Sequence, residues 1–401
     1  MSDSKWNRQQ ALGAMLTHAA VHSPYYSEQE WALRMRRQGG IALRDIPITP
    51  KALVRNQTAQ FFCSFVPPSQ GEVLTRATSG STGEPMLIRK TQRQFEIQIA
   101  ENLRLKNGWG FGQHRRVVQT SAPNDDHPNG LVEQKDGPGG RREWTLYSGD
   151  TEAALDLLRR TAASHVRSSP SIMLEVLQRS LETSQSLGLQ LISTVSEVMS
   201  EGLPKLVRGI PGCRLVDLYG TVETGLIAVQ CPLCHAYHPA DRHLIFEIVT
   251  EEGRPAEPGE MGRVVVTPLF NLATPLIRYD TGDYAQLAEG GSCPRSPCAI
   301  RRIIGRERNL FKLPDGRKVV PRIPHQTAQD LGLRQFKFVQ TTVSDIELRY
   351  IPRDPGMEIA QDVGQNMVDK YMAPGFRVHC VKVSELPRAP SGKYLMHECL
   401  I

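Results

Sequence analysis

The sequence predicts an α/β protein, with a large N-terminal domain followed by a small α+β lobe. Three observations predict it. Between residues 117 and 218, short apolar runs alternate with amphipathic stretches, the pattern of a sheet flanked by helices. From Phe246 to Leu287, β-rich runs divided by Gly and Pro fit a mainly antiparallel sheet or distorted β-barrel. Beyond Gly305-Arg306 the pattern becomes strand, strand, helix, strand over roughly 95 residues, a reasonable size for a lobe. At 401 residues the chain exceeds one ordinary domain, and the boundary is placed between 1–305 and 306–401.

Residues 5–38 read as helical, with Leu12, Met15, Leu16 and Ala19 at helical spacing, until Pro47-Ile-Thr-Pro50 breaks the pattern. Residues 90–107 are the next predicted helix, ended by Asn107-Gly108. Val117–Thr120 is a short strand. Residues 121–149, rich in Gly, Pro, Asn and Asp, are expected as a long loop lining a site. Helices are predicted at 151–163, 171–187 and 200–209, with strands near 189–195 and 214–218. In the lobe, Gln335–Gln340, Ile346–Tyr350 and Val378–Val383 read as strands and Gln361–Tyr371 as a helix. There are no internal repeats.

Hydrophobic residues make up 40% of the chain and charged ones 22%, which describes a globular protein and excludes a disordered one. The net charge of +6 is spread out, so Arg34-Met-Arg-Arg37 and Arg301-Arg302 are read as solvated faces and no nucleic-acid partner is expected. The polar start Met1–Gln10 lacks the apolar core of a signal peptide, and no run approaches the ~18 apolar residues of a membrane span. A cytoplasmic location without membrane partners is the expectation. Eight cysteines in such a chain argue for thiols or metal ligands over disulfides.

Five short motifs carry the chemistry. Thr78-Ser79-Gly80-Ser81-Thr82-Gly83-Glu84-Pro85 combines glycines, which let a backbone approach a ligand, with hydroxyls and N–H groups that can surround phosphate oxygens. In Asp217-Leu-Tyr-Gly-Thr-Val-Glu-Thr-Gly225, a strand enters a glycine turn; Tyr219 can stack on a flat base and Glu223 can hold Mg²⁺. Pro275-Leu-Ile-Arg-Tyr-Asp-Thr-Gly-Asp283 ends in a carboxylate able to accept two ribose hydroxyls. Ile303-Ile-Gly-Arg306 offers an arginine at the domain junction, and Pro387-Arg-Ala-Pro-Ser-Gly-Lys393 a lysine on a small-residue turn.

In order and spacing these motifs resemble the adenylate-forming superfamily of acyl- and aryl-coenzyme A synthetases, luciferases and nonribosomal adenylation domains. The phenylacetate–coenzyme A ligase-like branch looks closest. Ala19-Ala-Val-His-Ser-Pro-Tyr-Tyr26 and Pro258-Gly-Glu-Met-Gly-Arg263 add to the likeness, which spans nearly the whole chain. The resemblance implies that a carboxylic acid and ATP form an acyl-adenylate and pyrophosphate, and that the acyl group then passes to a thiol. It implies that Thr78, Ser79, Gly80, Ser81, Thr82 and Gly83 hold the β- and γ-phosphates. Ser196-Glu197 stands at the adenine segment, while Tyr219, with Gly220 and Thr221, covers the base. Glu223 binds Mg²⁺, Asp283 and Arg306 grip the ribose, and Lys393 meets the charge developing on the carboxylate and α-phosphate. The small lobe is expected to be mobile between the two half-reactions, with Lys393 serving only the first. The acid is expected to be aryl, small acyl or amino acid. The acceptor is coenzyme A or, alternatively, the phosphopantetheine thiol of an acyl or peptidyl carrier protein. A nucleotide binder without catalysis is the reading from another class.

Three departures stand out. Val222 replaces the Ser or Thr that many relatives carry before the glutamate. The hinge reads Gly305-Arg-Glu-Arg-Asn309, leaving Arg308 and Asn309 both open as pivot. Met86 and Leu87 follow the glycine loop where many relatives have a lysine. Asp125 and Asp126 in the 118–131 segment either meet a substrate amine or face water.

Finally, Cys231-Pro-Leu-Cys234-His-Ala-Tyr-His238 and Cys293-Pro-Arg-Ser-Pro-Cys298 are two close pairs of soft ligands, the spacing of a structural zinc knuckle. The residues alone give a site of four cysteines. The resemblance implies that a Cys, a His seven places on and two later cysteines join, so Cys234 and His238 compete for one position.

Overall fold

The computed structural model describes residues 7–78, 86–124, 126–184, 186–199, 202–289, 293, 299–321, 327, 330–386 and 394–401. The chain begins with helices α1 (Arg8–His22), α2 (Pro24–Ser27), α3 (Glu30–Gln38) and α4 (Lys51–Asn56), the hairpin β1 (Val73–Ala77) and β2 (Leu87–Thr91), and α5 (Gln92–Gly108). It continues through β3 (Arg116–Ser121), β4 (Val132–Gly137), β5 (Arg141–Tyr147), α6 (Thr151–Thr161), β6 (His165–Ser168), α7 (Pro170–Glu182), β7 (Leu191–Thr194) and α8 (Gly202–Arg208). Then come β8 (Arg214–Thr221), β9 (Gly225–Gln230), β10 (Tyr237–Pro239), β11 (Leu244–Val249), β12 (Met261–Pro268), β13 (Tyr279–Leu287) and β14 (Ile300–Arg306). The last part holds β15 (Phe311–Lys312), β16 (Lys318–Val319), β17 (Leu333–Gln340), β18 (Asp345–Pro352), α9 (Gln361–Tyr371), β19 (Arg377–Lys382) and β20 (His397–Cys399). No helix among the described residues is long and apolar enough to cross a membrane.

These elements form two compact units, each discontinuous in sequence: Met1–Gln113 with Asp217–Ile303, and His114–Val216 with Ile304–Ile401. In the first, the strand order is β11-β12-β13-β14-β10-β9-β8. The apolar stripe of α1 (Met15, Leu16, Ala19, Ala20) packs with Tyr26, Phe61, Val264, Val266 and Tyr279 in one core. Full burial of such a side chain stabilises by roughly 1.5–3 kcal/mol. The expected long first helix is broken at Ser23, whose N–H still bonds Ala19 O while Pro24 opens α2, a residue that suits the first position of a new helix. Thr49 N–H bonds Arg278 O, and Thr49 O receives Asp280 N–H, which places α4 beside β13.

The second unit holds a sheet ordered β7-β6-β3-β5-β4, with β3, β5, β6 and β7 parallel and β4 an antiparallel edge. Helices α6, α7 and α8 cover it over a core including Val118, Leu146, Leu155, Leu158, Val176, Leu177 and Leu203. The segment 121–149, expected as loop, contains both β4 and β5. Strand β4 alternates poorly because it is an exposed edge, while β5 is fixed by pairing along the length of β3. In the same unit, β19-β18-β17-β20 and α9 surround Phe311, Phe338, Ile346, Leu348 and Val368 as a small α+β layer.

Candidate active site and metal centre

Strands β8 and β9 form a tight hairpin whose turn presents Glu223. Thr221 pairs with Gly225, and a Cβ on Gly220 would lie 2.6 Å from the carbonyl oxygen of Gly225, so only glycine permits this approach. Inside the turn, Thr224 N–H bonds the Thr221 hydroxyl oxygen at 3.2 Å. Glu223 is 3% exposed, and its Oε1 accepts from Lys51 Nζ at 2.6 Å and from the Tyr279 hydroxyl at 3.0 Å. Burial works to raise this carboxyl, but the Lys51 charge and the hydrogen bonds outweigh it and hold it below the usual range.

A second link mirrors the first. The Tyr219 hydroxyl donates to Asp283 Oδ2 at 2.9 Å, and both residues are buried. Thus the β8–β9 hairpin and β13 exchange one phenol and one carboxylate each. Strands β8 and β13 stand four steps apart in the sheet order, which in a flat sheet means about 19 Å at the usual 4.7–4.9 Å spacing. Side chains in contact across that span require the sheet to curl back on itself, in keeping with the distorted barrel expected from the sequence.

Lys90 on β2 is 4% exposed, and burial pulls its ammonium down to about 8, with Glu223 acting in the opposite direction and Arg76 reinforcing the fall. Lys51, Tyr279 and Lys90 were not singled out as site residues by sequence reasoning. Tyr279 lay inside the quoted Pro275–Asp283 motif, but Lys51 and Lys90 carry no spacing signal, because their relation to Glu223 is made only by the fold.

In the second unit, Ser196 is exposed with φ +79°, a left-handed value uncommon outside glycine. The next residue, Glu197, accepts from Ser171 N–H at the start of α7 (3.1 Å, Oε2) and from Tyr394 N–H (2.9 Å, Oε1). With its side chain so engaged, any adenine contact from this segment falls to the backbone. Arg306 ends β14 in this unit. Of the glycine loop only Thr78 is described; its hydroxyl oxygen accepts Met86 N–H at 3.0 Å. Ser79, Gly80, Ser81, Thr82, Gly83, Asp125, Cys298 and Lys393 lie outside the described residues.

The first unit also brings together Cys231, Cys234, His238 and Cys293, whose donor atoms all lie within 4.8 Å of one another. Cys231 and Cys293 Sγ are 3.9 Å apart, far beyond a disulfide bond, and Cys234 Sγ is 3.4 Å from His238 Nε2. With Zn–S about 2.3 Å and Zn–N about 2.0–2.1 Å, the edges of a tetrahedral zinc site are about 3.5–3.8 Å. The donor set therefore fits zinc. His235, at φ +59°, turns the chain so that Cys231, Cys234 and His238 face one point, and Leu233 N–H donates to Cys231 Sγ at 3.4 Å.

No protein-family model matches the chain. It is 26% identical over 337 residues to a phenylacetate–coenzyme A ligase of Escherichia coli K12, covering 75% of this chain and 71% of that one. It is 23% identical over 327 residues to the enzyme of the same name from Thermus thermophilus, covering 76% and 70%. Its fold overlays a crystal structure of 2-hydroxyisobutyryl-CoA ligase in the postadenylation state with a TM-score of 0.68, at 15% identity over 98% of this chain and 90% of that one. The mixed α/β fold is thus the one seen in 2-hydroxyisobutyryl-CoA ligase. In sequence, the chain is similar to phenylacetate–coenzyme A ligases over about three quarters of its length.

Proposed function

We propose that the chain is an AMP-forming acid–thiol ligase that converts a carboxylic acid and ATP to an acyl-adenylate, then passes the acyl group to coenzyme A. The observation that carries this reading is the reciprocal pair of links, Tyr219 to Asp283 and Tyr279 to Glu223. Each phenol holds a buried carboxylate in place, and such preorganised charge is what phosphate and ribose recognition needs. A carboxylate oxygen accepts ribose hydroxyls, and Asp283 is the residue read in that role. In this reading the Tyr219 ring walls the adenine, Glu223 holds Mg²⁺, and Arg306 assists Asp283. Mg²⁺ supplies charge neutralisation for the triphosphate. Lys51 and Tyr279 keep the Glu223 carboxylate ionised and aimed. Residues Thr78–Gly83 cradle the outer phosphates, and Lys393 meets charge at the reacting carboxylate. The first step joins a carboxylate oxygen to the α-phosphorus and releases pyrophosphate; in the second, a thiolate displaces AMP at the acyl carbon.

The four-donor cluster is proposed to hold a structural Zn²⁺. All its donor positions are filled by protein, so it ties the 231–238 turn to residue 293 and takes no part in the chemistry.

The test is carboxylate-dependent ATP–pyrophosphate exchange over pooled aryl, acyl and amino acids with Mg²⁺. Exchange with one pool, followed by thioester formation with free coenzyme A, is the expected result. In Lys393→Ala, exchange should vanish while thiol transfer from a synthetic acyl-adenylate persists. Folded protein that binds ATP but stays silent toward every pool would overturn the proposal, and activity only with a holo-carrier protein would change the acceptor.

A further inference from the structure

The side chain of Glu197 joins two separate elements of the second unit. One oxygen accepts from Ser171, the first N–H of α7 because Pro170 has none, a donor that helix geometry leaves without an intrahelical partner. The other accepts the N–H of Tyr394, the residue that follows Lys393 in sequence. Tyr394 is held again at its far end, where its hydroxyl donates to Phe336 O on β17 at 2.6 Å. Two residues on, Met396 O accepts from Phe338 N–H at 2.9 Å, and β20 then runs parallel to β17. The chain after Lys393 is therefore fixed at the sheet by backbone pairing and at its upstream end by one carboxylate.

The neighbouring residue touches the other end of the lobe. Gly305, at φ +93°, lies so close to Val198 that a Cβ there would be 2.6 Å from Val198 Cγ2. Residues 197 and 198 thus contact both the start of the C-terminal segment and the stretch next to Lys393. A rotation of the lobe about residues 306–309 would part the Glu197–Tyr394 contact, while Gly305, upstream of the pivot, can stay against Val198.

We infer that Glu197 is a positioning residue for adenylation, seating the segment next to Lys393 against the α7 N-terminus in the first half-reaction and releasing it for the second. This rests on the proposed ligase reading. Both contacts are charge-assisted hydrogen bonds from backbone amides, so among side-chain changes only those at the carboxylate, or a proline at a donor, remove them. The carboxylate is the change that leaves the backbone undisturbed.

The experiment compares wild type, Glu197→Ala, Glu197→Gln and, as an exposed control carboxylate of the same unit, Asp156→Asn, which among the described residues pairs only within its own helix. Three quantities are read: amide hydrogen exchange at residue 394, ATP–pyrophosphate exchange with the acid found active, and thiol transfer from the synthetic acyl-adenylate. Glu197→Ala should speed exchange at the Tyr394 amide and slow adenylation about 10- to 100-fold, the usual worth of a hydrogen bond to a charged group. Thiol transfer should stay within about twofold. Glu197→Gln retains one acceptor oxygen and should recover part of the adenylation rate, while Asp156→Asn should change nothing. Equal loss of both half-reactions would overturn the inference in favour of a merely structural role. Unchanged amide exchange at residue 394 would overturn it by removing the contact. Wild type that adenylates no acid would sink the ligase reading instead, and is told apart because Tyr394 exchange still responds to Glu197→Ala.

Discussion

Two glutamates, one in each unit, are held in opposite ways. Glu223 receives a lysine 172 residues away in sequence and a phenol 56 residues away. Glu197 receives two backbone amides. The first depends on side chains, so it can be broken from either end, and the partner left behind is itself a buried polar group. The second is broken by a side-chain change only at the glutamate or by a proline at a donor, and when the glutamate goes its donors can turn to water. A site built from side-chain pairs fails through stability as well as chemistry; one built on backbone donors fails through position alone.

The sharpest way to break this contrast is at Glu223 itself. Glu223→Gln should lower ATP–pyrophosphate exchange by about 10²–10³, the usual effect of losing one preorganised charge contact. Comparable activity in the variant would show that Glu223 holds no metal or phosphate. Lys51→Met should next destabilise the first unit by about 3 kcal/mol, the low end for breaking a buried pair, because Lys51 is 23% exposed while Glu223 is 3% exposed. Denaturant unfolding checks it, and Lys51→Met combined with Glu223→Leu should recover much of the loss. By comparison Glu197→Ala should leave the unfolding midpoint nearly unchanged.

Acidity separates the cations as well. Lys90 is lowered to about 8 from an ordinary 10.5, so between these values the unfolded chain binds more protons than the folded one. Stability should therefore rise with pH across that window, and Lys90→Met should flatten the rise. Glu223, held low, contributes stability that is complete above its unfolded value of 4.5 and fades as the pH falls through its lower folded value. The smallest catalytic effect is expected from the metal. Purified protein should carry one zinc per chain, and chelation should lower the melting temperature while leaving ATP affinity within about twofold, since a closed site acts on folding and not on chemistry. Absence of zinc with all four thiol and imidazole donors reactive would remove the metal.

Glu223, Tyr219 and Asp283 were legible because each sits in a turn or strand end whose Gly and Thr neighbours mark the local geometry. The cysteine knuckle was legible from spacing. Lys51 was not: Pro50-Lys51 reads only as a helix start, and its meaning arises when Thr49 pairs beside β13. Strands β4 and β5 were hidden for a related reason. Residues 132–137 are almost all exposed or half-exposed, so they carry no alternation of apolar and polar positions, and only pairing with β5 makes them a strand. In the same way, the bridging role of Glu197 exists only between elements separated by 197 residues at one end and 26 at the other.

The first unit is interrupted in the chain by residues 114–216, and this sets an order of events during synthesis. Helix α1 and Lys51 emerge early, but their partners Val264, Val266, Tyr279 and Glu223 come only after the interruption has been translated. At about 5–20 residues per second, the roughly hundred intervening residues take about 5–20 s. Throughout that interval the stripe of Met15, Leu16, Ala19 and Ala20 has only the early part of its core, such as Tyr26, Phe61 and Ile88, to pack against, while the parallel strands of residues 114–216 already have one another. The newborn N-terminal helices therefore wait, half-cored, for strands that close their packing only after the interruption.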